Sequence, residues 1–197
     1  PCVGANTGCV DRMSASLPIT CFHNPEVGRE ATHAELIPAK SSRKVLVVGA
    51  GPAGLKAAEI ASKRGHKVTV FDRASEPGGR LRWVRKLGKP EKMLGAVDWL
   101  VSELEILGVE VQLGTEVDKS LISAIAPDTV VLATGASGSG LDVDSDGSIP
   151  IYTEDQAMTE DVGERVLFVD LLGYQQQSFV AEYLCSIGAI LTMATPF

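Results

Sequence analysis

The segment Val45-Leu-Val-Val-Gly-Ala-Gly-Pro-Ala-Gly54 sets the architecture of this chain, because an apolar run leads directly into a glycine-rich turn. Such a run is typical of a buried strand, and the spacing Gly49-x-Gly51-x-x-Gly54 is typical of a turn that opens a helix. The first glycine permits the turn, the second admits a pyrophosphate close to the backbone, and the third lets helix and strand pack. The N–H groups and the dipole of the helix N-terminus favour a bound phosphate. The segment therefore predicts a phosphate-binding loop.

The residues after this loop complete a dinucleotide-binding pattern. They predict a helix over residues 52–64, a strand over Lys67–Phe71, and an acid, Asp72, at the end of that strand. An acid at this position accepts hydrogen bonds from the ribose hydroxyls of an adenine nucleotide. A GxGxxG alone is weak evidence, and an incidental glycine turn in another α/β unit is the competing interpretation. The helix, strand and acid together favour the nucleotide.

Composition and charge limit the classes of protein that this chain can represent. Its 197 residues are 45% hydrophobic and 22% charged, which is typical of one or two soluble globular domains. The net charge of −7, with no concentration of Lys and Arg, argues against nucleic acid as the main partner. The sequence contains neither an apolar run long enough to span a bilayer nor a signal-peptide pattern. We therefore expect no membrane association and a cytoplasmic location.

Residues 1–42 have no sustained hydrophobic period and predict a loop-built segment with short helical turns at most. This segment contains Cys2, Cys9 and Cys21, and in a reducing compartment such clustering favours a metal or redox role over crosslinks. Three ordinary thiols are the competing interpretation. Cys185 stands apart in an apolar helical stretch, where we expect it to be buried in the core.

The cysteine segment resembles the iron–sulfur region of the trimethylamine dehydrogenase and bacterial 2,4-dienoyl-CoA reductase family. Cys2, Cys9 and Cys21 match the first, third and fourth ligands of that family, and Asn24-Pro25 also fits. The second ligand position holds Ala5, which offers no ligand atom. The resemblance leaves four outcomes: His23 or solvent completes the ligand set, a three-iron cluster forms, or the segment is a relic without a cluster.

Further glycine motifs extend the resemblance to flavoproteins that bind two dinucleotides. The pair Gly78-Gly79 follows the ribose-binding acid, and Ala133-Thr134-Gly135 ends a later apolar strand. Those proteins usually carry Glu where this chain has Asp72, whose side chain reaches one methylene less. The resemblance implies a bound FAD or ADP, with contacts at Gly49, Ala50, Gly51, Pro52, Ala53, Gly54, Asp72, Arg73, Gly79, Arg80, Ala133, Thr134 and Gly135.

The C-terminal part of the chain predicts a second βαβ unit. Strands are expected over residues 164–170 and 189–194, with a helix over 176–187 between them. In related reductases this unit binds NAD(P)H through its own GxGxxG, but here the turn reads Asp170-Leu-Leu-Gly-Tyr-Gln-Gln-Gln177. One glycine does not form the usual loop, and Asp170 places a negative charge where phosphates would bind. This degeneracy is similar to the amine dehydrogenase branch, in which electrons leave through the cluster.

Together these patterns predict an α/β chain of Rossmann-like dinucleotide-binding βαβ units with a parallel sheet, preceded by a loop-rich cysteine segment. We expect a cluster segment over residues 1–42, an FAD- or ADP-binding domain over 43–140, and a truncated second unit over 141–197. The expected function is the cofactor-binding, electron-relay portion of an iron–sulfur flavoprotein oxidoreductase. Alternatives are a noncatalytic ADP-binding structural domain and an NAD(P)H-dependent flavin reductase.

The resembled family contains a domain that these patterns do not account for. The resemblance implies an FMN-carrying barrel, so we expect a longer polypeptide or a partner subunit to supply it, and an electron-transfer protein as a further partner. The sequence shows no evident catalytic acid, base or nucleophile. The isolated His23, His33 and His66 favour surface or loop positions over general-base roles.

Overall fold

The computed structural model of the protein describes residues 2–6, 8–33, 35–87, 91–138, 140, 143–173 and 175–196. The chain divides into two compact units. The first unit comprises Pro1–Arg82 and Pro90–Gly135, and the second comprises Trp83–Lys89 and Ala136–Phe197. The division into a cluster segment, a nucleotide-binding domain and a second unit, with boundaries after residues 42 and 140, stays a prediction.

The first unit is built on a four-stranded parallel sheet, which confirms the predicted α/β class. Its strands are β1 (Lys44–Val48), β2 (Lys67–Phe71), β3 (Glu110–Gln112) and β4 (Thr129–Leu132), in the spatial order β3-β2-β1-β4. The central strand β1 pairs with β2 through Val45↔Val68 and with β4 through Val45↔Thr129. Leu46 and Val47 in β1 are fully buried, as expected for a strand covered on both faces.

The described helices of the first unit lie before and between these strands. The described residues form α1 (Val10–Ser14), α2 (Glu30–His33), α3 (Pro52–Lys63), α4 (Glu91–Ile106) and α5 (Lys119–Ile125). Proline is favoured at the first position of α3 because its missing N–H would have no helical partner. Leu55 and Ala58 of α3 pack with Leu100 and Leu104 of α4 and with β1 and β2 in one core cluster. This packing fixes the start of α3 against the end of β1.

The N-terminal segment contains short helices and turns. Neither α1 nor α2 buries a residue, so hydrogen bonds rather than a core shape this segment. The Thr20 N–H donates to the Gly8 carbonyl over 2.6 Å, and Arg12 Nε donates to the Pro18 carbonyl over 2.7 Å. The predicted loop-built segment with short helical turns is confirmed.

The second unit contains the predicted βαβ element. Strands β5 (Arg165–Val169) and β6 (Ile190–Ala194) are parallel, with Arg165 opposite Ile190. Its described helices are α6 (Glu154–Ala157) and α7 (Gln175–Ser186). Thr153 and Gln156 form a capping box at the start of α6. Met158, Val180 and Leu184 are the best-buried members of its core.

The prediction that Cys185 is buried is wrong, because its side chain is exposed. Val180, Ala181 and Leu184 form the buried stripe of α7, and successive helical residues point about 100° apart. Cys185 follows Leu184 in the last turn of the helix and therefore faces away from the core.

The structure also differs from the sequence prediction in the type of one element and in the ends of others. A 3₁₀ helix over Gly79–Leu87 was not predicted. The predicted start of α4 at Pro90 lies outside the described residues, as does Tyr174 in the loop after β5. Where the helices are described, none combines the length and the apolar character needed to cross a bilayer.

Candidate dinucleotide-binding site

The glycine loop, residues 49–54, joins β1 to α3 through a tightly constrained turn. Gly49 has a φ of +112°, and its N–H donates to the carbonyl of Phe71, the last residue of β2, over 2.7 Å. A Cβ at Gly49 would overlap the carbonyl of Ala133, and a Cβ at Gly54 would overlap the carbonyl of Gly49. Glycine is therefore required at both positions by close backbone packing.

Gly51 differs from these two glycines because open space lies beside it. A Cβ at Gly51 would have only the Cα of Gly79 within 4 Å, at 3.8 Å, and a Cβ at Gly79 would lie 3.2 Å from the Cα of Gly51. Gly51 has an ordinary φ of −75°, so its backbone conformation does not itself require glycine. The Gly78 N–H donates to the Ala50 carbonyl over 2.8 Å and holds the two glycine turns together. The result is a backbone surface without side chains, at the N-terminus of α3.

Asp72 lies next to this surface and bonds to the loop itself. Its Oδ2 accepts from the Ala50 N–H over 2.6 Å, and its Oδ1 accepts from the Ala74 N–H over 2.8 Å. An ionised carboxylate has about four acceptor positions, so about two are left for ribose hydroxyls. The contact with Ala50 was not predicted from the sequence, because it depends on how far a short side chain turns back toward the loop.

The structure brings most of the predicted nucleotide-binding residues together at the carboxyl ends of β1, β2 and β4. The Ala133 N–H donates to the Val48 carbonyl over 2.8 Å, which places the segment Ala133–Thr134–Gly135 beside the glycine loop. Pro52 and Ala53 form the first turn of α3, where backbone N–H groups have no helical acceptor. Arg73 and Arg80 are exposed, each one residue beyond Asp72 and Gly79.

These features fit the pyrophosphate and ribose of an adenine dinucleotide. The glycine-lined surface leaves room for phosphate oxygens, the first turn of α3 supplies donors, and Asp72 supplies acceptors. The fit concerns the described residues only, and a nucleotide would be held chiefly by backbone groups and one carboxylate.

Unlike the predicted nucleotide-binding residues, the three predicted cluster ligands do not form one group. Cys21 Sγ lies 3.6 Å from Nδ1 of His23, Cys2 Sγ accepts from the Gly4 N–H over 3.4 Å, and Cys9 Sγ donates to the Asn6 carbonyl over 3.7 Å. Ala5, at the position of the absent ligand, is 6% exposed. Within the described ranges, no three His, Cys, Asp or Glu side chains are grouped so that they can hold a metal ion. The geometry therefore adds no support for a cluster.

A cavity of about 980 Å³ lies beside α3. It shares Pro52 and Ala53 with the predicted site but is not lined by Gly51, Asp72 or Gly79. The cavity therefore does not coincide with the predicted nucleotide site, which is the backbone surface beside Gly51.

A buried carboxylate anchors α3, the helix that begins at the site. Glu59, with a side chain only 2% exposed, lies 2.6 Å from Lys56 Nζ and 2.6 Å from Lys63 Nζ. Burial raises the pKa of Glu59, but the hydrogen bonds and charges of Lys56 and Lys63 together outweigh burial and hold it below its ordinary value. Lys63 also lies 3.0 Å from Glu103 of α4, so the group joins the two helices.

The comparisons with known proteins agree with this geometry. A family model described as an NAD(P)-binding Rossmann-like domain matches residues 47–96, which contain the glycine loop and Asp72. The parallel sheet, the glycine loop and this match define the first unit as a Rossmann-like nucleotide-binding domain.

Two curated relatives match almost the whole chain. The probable N-methylproline demethylase of Rhizobium meliloti is 39% identical over 100% of this chain and 29% of its own length. The N,N-dimethylglycine/sarcosine dehydrogenase of Chromohalobacter salexigens is 35% identical over 98% of this chain and 29% of its own length. Among solved structures, 6-hydroxypseudooxynicotine amine oxidase from Pseudomonas geniculata N1 has a TM-score of 0.85 and 30% identity, covering 98% of this chain and 31% of that one.

The chain is therefore homologous to part of the oxidoreductase family that contains these amine dehydrogenases and demethylases, which confirms the predicted resemblance. It spans less than a third of the length of the relatives described above.

Proposed function

We propose that this chain is the FAD- or ADP-binding, electron-relay portion of a flavoprotein oxidoreductase similar to the amine dehydrogenases. The proposal rests chiefly on the backbone surface between Gly51 and Gly79, beside the Asp72 carboxylate. In this proposal the glycine loop binds the pyrophosphate and Asp72 binds the adenosine ribose. FAD, when bound, supplies a redox-active ring that accepts and releases electrons. The contribution of this chain is to bind and orient that group.

Replacing Gly51 by valine tests the site. The backbone at Gly51 accepts a side chain without strain, so Gly51→Val should fold normally while its methyl groups fill the space of the pyrophosphate. We expect wild-type protein to bind ADP in a calorimetric titration and Gly51→Val to show no binding. Gly95→Val is the matched control, because Gly95 is exposed in α4 with nothing within 4 Å of an added Cβ. If Gly51→Val binds ADP as tightly as the Gly95→Val control does, the nucleotide does not bind beside Gly51.

The visible spectrum separates the proposal from its alternatives. Flavin absorption in purified protein supports the redox role, whereas bound nucleotide without a chromophore supports the structural ADP domain. The third alternative, an NAD(P)H-dependent flavin reductase, requires the flavin to bleach when NADH or NADPH is added under anaerobic conditions.

The proposal also includes the further domain and the partner protein with which this chain would function. We propose that a barrel carrying FMN, in the same polypeptide or in a partner subunit, accompanies these two units, and that an electron-transfer protein accepts the electrons. The length of the relatives and the exposed apolar side chains of Leu167, Val169 and Ile190 on one face of the β5–β6 sheet support a further covering domain. A cluster held by Cys2, Cys9 and Cys21, and a cytoplasmic location, stay predictions from the sequence.

A further inference from the structure

The cavity beside α3 is lined by residues of the first unit, and it has the size of a small-molecule site. Its volume of about 980 Å³ lies at the upper end of the range for ligand pockets, roughly 300–1,000 Å³. α3 lines it from Pro52 in its first turn to Arg64 at its C-cap. Because a helix of 12 residues is about 18 Å long, the cavity is elongated along α3.

The wall that α3 contributes to this cavity is apolar. Ala53, Ala57 and Ile60 line the cavity, whereas Leu55 and Ala58 on the other side of the helix belong to the core cluster. The short alanine side chains leave room beside the helix, and the surface gains free energy when an apolar group covers it. This wall therefore suits an aliphatic chain.

Three cations lie where the cavity meets the linker, at the C-terminal end of α3. Lys40, Arg43 and Arg64 line the cavity, and all three are exposed. The Ala39 N–H donates to the Arg64 carbonyl over 2.9 Å, and the Arg43 N–H donates to His66 Nδ1 over 3.1 Å. These bonds hold the linker, with its two cations, against this end of the helix.

No acidic side chain balances these three cations. Among the described residues, no Asp or Glu lines the cavity, and no ion pair includes Lys40, Arg43 or Arg64. Lys56, a further lysine of the lining, already lies 2.6 Å from Glu59. In a chain with a net charge of −7, this end of the cavity is a local excess of positive charge, and it favours an anionic group.

We propose that this cavity binds an elongated amphipathic carboxylate. Its aliphatic chain lies along α3, and its carboxylate lies among Lys40, Arg43 and Arg64. Burial of the chain supplies most of the binding free energy, and the exposed cations fix the direction in which the ligand lies. The proposal does not rest on the FAD or ADP site, because Gly51 and Asp72 do not line this cavity.

Dodecanoate is the probe, titrated to about 1 mM into ¹⁵N-labelled full-length chain and followed by NMR. We expect saturable shifts of the Ala57, Ile60 and Arg43 amides in wild-type protein. Dodecanol has the same chain without the charge and should bind more weakly. Acetate carries the head group alone and should shift none of these amides, because it has no chain to bury.

The double variant Lys40→Gln/Arg43→Gln tests the charged end of the cavity. Its loss of two exposed cations should raise the Kd of dodecanoate about three- to tenfold. Lys67→Gln/Lys119→Gln is the matched control, because it removes two exposed lysines of the same unit that do not line the cavity. This control should leave the Kd unchanged. Ala57→Trp places a large side chain in the cavity and should abolish the shifts.

Absence of saturable shifts at Ala57, Ile60 and Arg43 in wild-type protein would overturn the proposal and favour a polypeptide segment as the occupant. Dodecanol binding as tightly as dodecanoate would overturn it too, as would equal Kd values in the charge variant and its control. These measurements do not depend on the folding of Ala57→Trp. ADP-induced shifts at Gly51 in the same spectra report separately on the proposed function.

Discussion

At the scale of the single residue, Asp72 combines two roles: it is the predicted ribose acceptor, and it bonds to the glycine loop. The sequence predicts a ribose acceptor at the end of β2, and the structure adds hydrogen bonds to the Ala50 and Ala74 N–H groups. A glutamate is one methylene longer, so the aspartate in this chain is suited to a short return to the glycine loop. Asp72 therefore positions the loop and presents acceptors beside it.

We expect Asp72→Ala to weaken ADP binding by roughly 1.5–3 kcal/mol, the free energy of hydrogen bonds to a charged group. The variant loses the proposed ribose acceptors and also the bond that holds Ala50. Calorimetric titration with ADP measures the loss. Asp146→Ala is the control, because Asp146 accepts from the Ser148 N–H over 2.9 Å in an exposed turn of the second unit. If Asp72→Ala and Asp146→Ala bind ADP with equal affinity, Asp72 does not contact the nucleotide.

Sequence reasoning at this scale succeeded where a single local pattern determines a residue's role. The glycines at 49, 51 and 54 carry such a pattern, and their positions follow from it. Cys185 was misjudged because apolar neighbours indicate a buried helix but do not fix which residues of its last turn face the core. The Asp72–Ala50 bond joins residues 22 positions apart, so no local pattern reports it.

At the scale of elements, the strands and long helices were predictable because burial imposes a period on the sequence. The buried run of β1 and the apolar spacing of α4 are examples. The 3₁₀ helix over Gly79–Leu87 was missed, because its apolar residues Leu81, Val84 and Leu87 recur every third position, a period that differs from the α-helical one, and no residue in it is fully buried. Long-range pairing, such as the order β3-β2-β1-β4, follows only from recognising the βαβ pattern.

The charged group that joins α3 to α4 is a feature of these two elements. The spacings Lys56–Glu59 and Glu59–Lys63 are helical neighbours and visible in the sequence, whereas the Lys63–Glu103 contact is not. Lys56 and Lys63 also lie over the Trp99 ring, at 5.4 Å and 6.0 Å from its centroid. The group therefore fixes the packing of α4 on the helix that begins at the nucleotide site.

We expect Glu59→Gln to lower the free energy of unfolding by about 1–3 kcal/mol, because two partly exposed lysines lose a buried charged partner. The pKa of Glu59 is held below 4.5 in the folded chain, so its contribution is present above that pH. Stability is then lost as pH falls through the lowered folded-state pKa. Urea unfolding between pH 7 and pH 3 should show the gap between wild type and Glu59→Gln closing toward acid.

Glu103→Gln is the control for this experiment. Glu103 is 25% exposed and, among the described residues, its ion pair is with Lys63, so its loss should cost less than about 1 kcal/mol. A gap that stays constant down to pH 3 would show that the Glu59 charge does not stabilise the fold.

At the scale of the whole molecule, the two units contain the same βαβ element with opposite chemistry at the strand end. The first exposes a backbone surface beside Gly51, and the second fills its donors with Asp170. In the proposed function, one dinucleotide binds to the first unit and the electrons leave through the cysteine segment.

If Cys2, Cys9 and Cys21 bind iron, anaerobic reconstitution should give protein with iron and acid-labile sulfide, at fewer than four irons per chain unless His23 or solvent serves as the fourth ligand. Ala5→Cys places a thiol three residues after Cys2 and four before Cys9, the spacing of the resembled family. We expect it to raise the iron content and the resistance of the cluster to oxygen, because a complete ligand set binds iron more tightly.

Ala15→Cys is the matched control, because it adds an exposed thiol to the same segment outside the ligand spacing and should leave the iron content unchanged. Ala5 is buried, so circular dichroism must show that Ala5→Cys keeps the wild-type fold. Iron absent from wild type and from Ala5→Cys alike would exclude the cluster. The three cysteines would then be ordinary thiols, and any electron relay through this chain would depend on the bound flavin alone.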